Sequence, residues 1–169
     1  MVEYAISYQY RRSIPLDNTN FEPVKLERQL CFPLYAVSRE VIKLYKPFLD
    51  ELDLTYTQYI TMIILWEHGT LTVKEMGDRL FLDSGTLTPL LKKLEAKGLI
   101  TRTRSQKDER NLNIGLTEEG GLLHERAQSI PTAVSKYNPL TNEESATLYR
   151  LLYKMLASKS RIAPKELEG

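Results

Sequence analysis

The feature that most narrows what this chain can fold into is a change of period at Gly98. Before it, apolar residues recur at spacings of three and four; after it, they alternate with polar ones. The first pattern lays a stripe along an α-helix, and the second faces one side of a β-strand. Leu87, Leu90, Leu91 and Leu94 form such a stripe, which ends at Lys97 and Gly98, where glycine readily takes the left-handed conformation of a helix stop. Leu99 and Ile100 then lead through Thr101, Arg102, Thr103 and Arg104 into a polar turn at 105–109. Leu112, Ile114 and Leu116 alternate beyond it. The spacing predicts a β-hairpin directly behind a helix.

Upstream, Leu26, Leu30, Leu34, Val37, Val41, Leu44 and Phe48 predict a long amphipathic helix. Proline lacks an N–H and crowds the preceding turn, so the helix is expected to bend or properly begin near Pro33 and to end at Pro47. Thr55 with Gln58, and Thr72 with Glu75, have the spacing of capping boxes. They predict a helix running to about His68, stopped by Gly69, and a short helix over Val73 to Leu80. Ser84 is read as the cap that starts the leucine-striped helix. Downstream, Thr117 opens a helix carrying Leu122, Leu123, Ala127 and Ile130, broken near Pro131. Thr141 with Glu144 opens a last one bearing Leu148, Leu151, Leu152 and Met155.

The expected class is therefore mainly α with a small β-hairpin wing: a winged helix-turn-helix, with a helical dimerisation region from the N- and C-terminal helices. Its parts are an extended arm over 1–22, a dimerisation helix within 23–54 and a DNA-binding region over 55–116. Further dimerisation helices over 117–160 and a tail over 161–169 complete it. At 169 residues and 42% hydrophobic, the chain suits one ordinary globular domain. It has no run of about 18 apolar residues, and its first residues lack the apolar stretch of a signal peptide. A cytoplasmic protein that does not engage a membrane is expected.

Net charge is +1, but residues 85–110 hold seven Lys/Arg against three Asp/Glu, a local balance of +4. Residues 31–84 hold five against eight, a balance of −3. A polyanion follows local charge rather than the total, so it meets this chain over 85–110. A charge cluster of this size is usually only a solvated surface; its placement on a helix-turn-helix gives it meaning. Ser84, Thr86, Thr88, Lys92 and Lys93 fall on or near the outer side of the leucine-striped helix, whose N-terminal end suits the major groove. Arg102, Arg104, Lys107 and Arg110 fall on the hairpin, which suits the DNA backbone or the minor groove.

The run Leu80 to Glu95 and the run Asp108 to Gly120 resemble the recognition helix and wing of the MarR family of regulators. The resemblance spans about Leu26 to Leu156. It implies that Asp108 and Arg110 pair, holding the arginine toward the minor groove. It also implies a homodimer on a palindromic double-stranded DNA operator, with repression as the expected outcome.

Cys31 is the only cysteine, so it can build neither a disulfide framework nor a zinc site. A lone thiol is more often a small core residue than a reactive one. The runs Gln29 to Tyr35, Tyr45 to Asp50 and Leu54 to Tyr59, however, resemble the organic-hydroperoxide-responsive, OhrR-like branch of the same family, of one-cysteine type. That resemblance implies Cys31 as a redox sensor hydrogen-bonded by Tyr35, Tyr45 and Tyr56, some of them from the other subunit. A phenol O–H donated to sulfur favours thiolate, the form that a peroxide attacks to give a sulfenic acid. With no second cysteine, a low-molecular-weight thiol would resolve that acid. Tyr35 lies at i+4 from Cys31 and Arg28 at i−3, so both can share its helix face.

No cofactor, metal or enzymatic activity is expected. Two histidines, no metal-ligand spacing and no resolving cysteine argue against a thiol peroxidase, and G-x-S-x-G is absent. Two alternatives stay open: a regulator of this scaffold that answers a small phenolic or hydrophobic ligand with Cys31 structural, and a helical interaction module that never touches nucleic acid.

Overall fold

A computed structural model of the chain describes residues 25–26, 29–104 and 112–157. The elements run α1 (Cys31–Asp50), α2 (Tyr56–His68), β1 (Leu71–Thr72), α3 (Val73–Leu80), α4 (Ser84–Ala96), β2 (Ile100–Arg104), β3 (Leu112–Leu116), α5 (Glu118–Ala127), α6 (Ile130–Ser135) and α7 (Asn142–Ala157). The mainly α class with a hairpin wing is as the periodicity predicts. The arm over 1–22, Arg28, the hairpin turn and the tail over 161–169 lie outside the described residues. Two compact units divide within α2, Met1–Tyr59 and Ile60–Gly169.

In the first unit, α1 begins at Cys31, close to Pro33 as expected, and leaves Leu26 and Leu30 ahead of it. Pro33 stands in its first turn, where the missing N–H had no intrahelical partner to lose. Pro47 does not end the helix, which runs three residues further. The proline removes one bond to the Lys43 carbonyl, while Lys46 Nζ bonds the Asp50 carboxylate at 2.7 Å and Leu49 is buried. The stop comes where the N–H groups of Leu52 and Leu54 turn back to the Leu49 carbonyl, at 3.1 and 2.9 Å. At the head of α2, Gln58 Oε1 accepts from the Thr55 N–H at 2.9 Å and Thr55 Oγ1 accepts from the Gln58 N–H at 3.3 Å, the reciprocal box predicted there.

The second unit centres on α3, α4 and a three-stranded antiparallel sheet in the order β1-β3-β2. Strand β1 is an addition to the expected hairpin: Leu71 pairs with Ile114 and Thr72 with Asn113. Thr72 also caps α3, its Oγ1 accepting from the Glu75 N–H while Glu75 Oε2 accepts from the Thr72 N–H. Gly69 and Gly98 sit at φ +71, as the stops predicted for α2 and α4 require. The α3–α4 turn passes through Phe81 at φ +55, a conformation that costs a bulky side chain free energy.

The cap of α4 is Asp83, not Ser84: Asp83 Oδ1 accepts from the Thr86 N–H at 2.8 Å, and Ser84 is the first helical residue. A carboxylate there also meets the positive end of the helix dipole. Leu87, Leu91 and Leu94 are at most 1% exposed and, with Met62, Leu65, Met76 and Ile114, form the centre of the core. Their burial keeps α4 helical through Pro89. Thr117 caps α5 through the Gly120 N–H, and Pro131 stands at the start of α6 rather than inside one long helix. Helix α7 buries no residue and leaves Leu148, Leu151 and Met155 exposed.

Candidate nucleic-acid interface and thiol

The leucine stripe decides which side of α4 faces outward. Ser84, Thr86, Thr88, Lys92 and Lys93 are all exposed, while Leu87, Leu90, Leu91 and Leu94 are buried. Thr86 Oγ1 donates to Asp83 Oδ2 at 3.1 Å and Thr88 Oγ1 donates to the Ser84 carbonyl at 2.7 Å. Both hydroxyls are thereby oriented, with acceptor lone pairs left for a partner. The Thr86 N–H, and then its hydroxyl, hold the Asp83 carboxyl below its ordinary value of 3.8. The N-terminal end of α4 is therefore a fixed platform of short polar side chains, with two lysines further along.

The hairpin divides its cations. In β2, Ile100 is buried and Arg104 is exposed at the end of the strand. Arg102 is different: its side chain is only 20% exposed, its Nη1 donates to Glu95 Oε2 of α4 at 3.1 Å, and its Nε is buried with no hydrogen-bond partner among the described residues. Strand alternation puts Arg102 on the Ile100 side of β2, the side that carries the buried apolar residue. Lys107, Asp108 and Arg110 lie outside the described residues.

Cys31 is the first residue of α1 and is exposed. Among the described residues of the chain no tyrosine hydroxyl bonds its sulfur. Tyr35 engages Arg39 instead: Arg39 Nη1 donates to the Tyr35 hydroxyl at 2.9 Å and the guanidinium carbon lies 5.5 Å from the ring centre. Tyr45 and Tyr56 do come together, edge to face at 5.1 Å. Tyr45 also lies 5.9 Å from the ring of Tyr59, which is buried and is an addition to the expected set. Its signal was available, since positions 56 and 59 share a helix face at i, i+3. Burial, and then the neighbouring Tyr45, push the Tyr56 phenol above its ordinary value of 10.0; the same two causes act on Tyr59, with Tyr56 adding to them. These phenols keep their protons, and so their capacity to donate, at neutral pH. Tyr45 lies about 21 Å from Cys31 along α1, at 1.5 Å of rise per residue. Among the described residues no group of three His, Cys, Asp or Glu could hold a metal, and no helix is long and apolar enough to cross a membrane.

The family described as transcriptional regulator SarA/Rot matches residues 43–126. An organic hydroperoxide resistance transcriptional regulator of Bacillus subtilis is 54% identical over 136 residues, 80% of this chain and 92% of that one. AbfR, also solved from Staphylococcus epidermidis, is similar in its reduced form bound to DNA, with a TM-score of 0.67 at 37% identity over 78% of this chain and 91% of that one. Overoxidised AbfR bound to DNA is similar as well, with a TM-score of 0.65, 37% identity and coverage of 78% and 93%. The relatives are regulators rather than enzymes. With a winged helix-turn-helix, a single cysteine and this degree of identity, the chain belongs to the MarR family of transcriptional regulators, in its organic-hydroperoxide-resistance branch.

Proposed function

We propose that the chain is a homodimeric repressor that grips a palindromic operator and lets go when an organic hydroperoxide oxidises Cys31. Support for DNA binding comes from the exposed polar face of α4 and from the DNA-bound state of the AbfR relatives. In this reading Ser84, Thr86 and Thr88 meet base edges and phosphates, Lys92, Lys93, Arg104 and Lys107 meet phosphates, and Asp108 steers Arg110 toward the minor groove. Arg102 belongs to the same basic hairpin.

The observation that carries the redox half is the position of the lone thiol: exposed, at the head of α1, in a chain 54% identical to a hydroperoxide-resistance regulator. Tyr45 stands too far along α1 to reach the thiol of its own chain, and Tyr56 of α2 packs against Tyr45, so in a dimer the two serve the partner's thiol. Tyr35 can turn to its own chain's thiol. The thiolate attacks the outer peroxide oxygen; an S–O bond forms, the O–O bond breaks, and the alkoxide leaves and is protonated to the alcohol. A low-molecular-weight thiol then condenses with the sulfenic acid, forming a mixed disulfide and releasing water. Because an overoxidised relative is found on DNA, release is attributed to the bulk of the adduct rather than to oxygen atoms on sulfur.

The test is a mobility shift on the chain's own upstream DNA, with cumene hydroperoxide and cysteine. Wild type should leave the DNA, whereas Cys31→Ser should bind equally well before and after treatment. Release of Cys31→Ser by the peroxide would refute the mechanism.

A further inference from the structure

We infer that Arg102 is a positioning residue that braces the wing against the recognition helix, rather than a contact to DNA phosphate. The inference rests on the DNA-binding reading above and changes the role of one residue within it. Charge alone groups Arg102 with Arg104, yet the structure treats them differently. Arg104 ends its strand in the open. Arg102 follows the buried Ile100 along the same side of β2, keeps only a fifth of its side chain exposed, and gives its Nη1 to Glu95. Its Nε is buried with no acceptor among the described residues, so the guanidinium has already been withdrawn from water on one edge. Turning it to a phosphate means breaking the Glu95 pair and pulling the stem out from its packing.

The pair joins the two pieces that must read DNA together. Glu95 lies one residue from the end of α4, and Arg102 is the middle residue of β2. Between them are Lys97 and Gly98, the latter at φ +71, a tight turn with few rotatable bonds. A fixed tie across that turn sets the angle at which the hairpin leaves the recognition helix. An arginine fork holds such an angle better than the single ammonium of a lysine.

The two roles give opposite predictions for Glu95→Gln, a change small enough to keep the fold. If Arg102 is a phosphate contact masked by Glu95, removing the acid frees it: affinity rises and the salt dependence of binding steepens. If it is a brace, affinity falls about tenfold, because one partner of a part-buried charged bond is lost, although the protein has become more positive. Arg104→Ala serves as the control, flattening the slope of log affinity against log salt by about 0.9 per copy bound. Under the brace, Arg102→Lys weakens binding with that slope unchanged.

Hydroxyl-radical footprinting separates positioning from general destabilisation. In Glu95→Gln the sugar protection given by the hairpin in the minor groove should fade, while protection of guanine N7 from dimethyl sulfate, given by α4 in the major groove, remains. In the free protein, the Arg102 Nε–H resonance should exchange slowly with water and be lost in Glu95→Gln. Tighter DNA binding by Glu95→Gln, or a slope for Arg102→Lys flattened as in Arg104→Ala, overturns the proposal, as does a fast-exchanging Arg102 signal in wild type. If wild type binds no DNA, the regulator reading fails, and the free-protein signal still decides whether the brace exists.

Discussion

Asp83 holds the DNA-facing end of α4 with one carboxylate, which accepts from the backbone and the hydroxyl of Thr86. Those bonds hold its pKa low, so the sign of the pH effect is fixed. The stabilisation is complete above the unfolded value of 3.8 and is lost as pH falls through the lower folded value. Asp83→Ala should lower the melting temperature at neutral pH. Asp83→Asn, which caps without a charge, should keep most of the melting temperature while losing that part of the acid sensitivity. Circular-dichroism melts from pH 2 to 7 check both. The identity of this cap shows where a sequence reading stops. Asp83 and Ser84 are adjacent, both are good cap residues, and only the backbone hydrogen bond tells which one stands outside the helix. Arg102 poses the same difficulty more strongly, since counting charges cannot show which cations already have partners.

Among the elements, the parts with local causes were the readable ones. The boxes Thr55/Gln58, Thr72/Glu75 and Thr141/Glu144 each lie within four residues, and each opens a helix where predicted. Strand β1 was hidden because two residues carry no period, and its existence depends on β3, more than forty positions later. The end of α1 was misplaced because Pro47 signals a stop that the burial of Leu49 overrides. A pair of glycines in α5 separates the two kinds of cause. A Cβ on Gly120 would collide with the Leu99 carbonyl, whereas one on Gly121 meets nothing within 4 Å. Gly120 also gives its carbonyl to Trp66 Nε1 at 2.8 Å. Gly120→Ala should therefore destabilise by about 1–3 kcal/mol through overpacking. Gly121→Ala should stabilise by about 0.5–1 kcal/mol through helix propensity. Urea titrations followed by Trp66 fluorescence would measure both signs.

At the scale of the whole molecule, the exposed apolar residues matter most. Val37 and Val41 of α1 are 55% and 41% exposed, and Leu148, Leu151 and Met155 of α7 are 40–46% exposed. Apolar surface of this extent is what an obligate partner covers. Val41→Glu should convert a dimer to a monomer at micromolar concentration in sedimentation and abolish the operator shift; an unchanged dimer would contradict the assignment of α1 to the interface. The site itself was legible only as a set of residue types. The sequence supplies Cys31 and three candidate tyrosines, Tyr35, Tyr45 and Tyr56, but among the described residues one copy of the fold brings the sulfur to no phenol. The run of helix between Cys31 and Tyr45 carries a last consequence for the proposed mechanism. A site completed by two copies exists only in the assembled pair, so in this mechanism the form that grips DNA is also the form that peroxide can reach, and a protomer on its own is deaf to it.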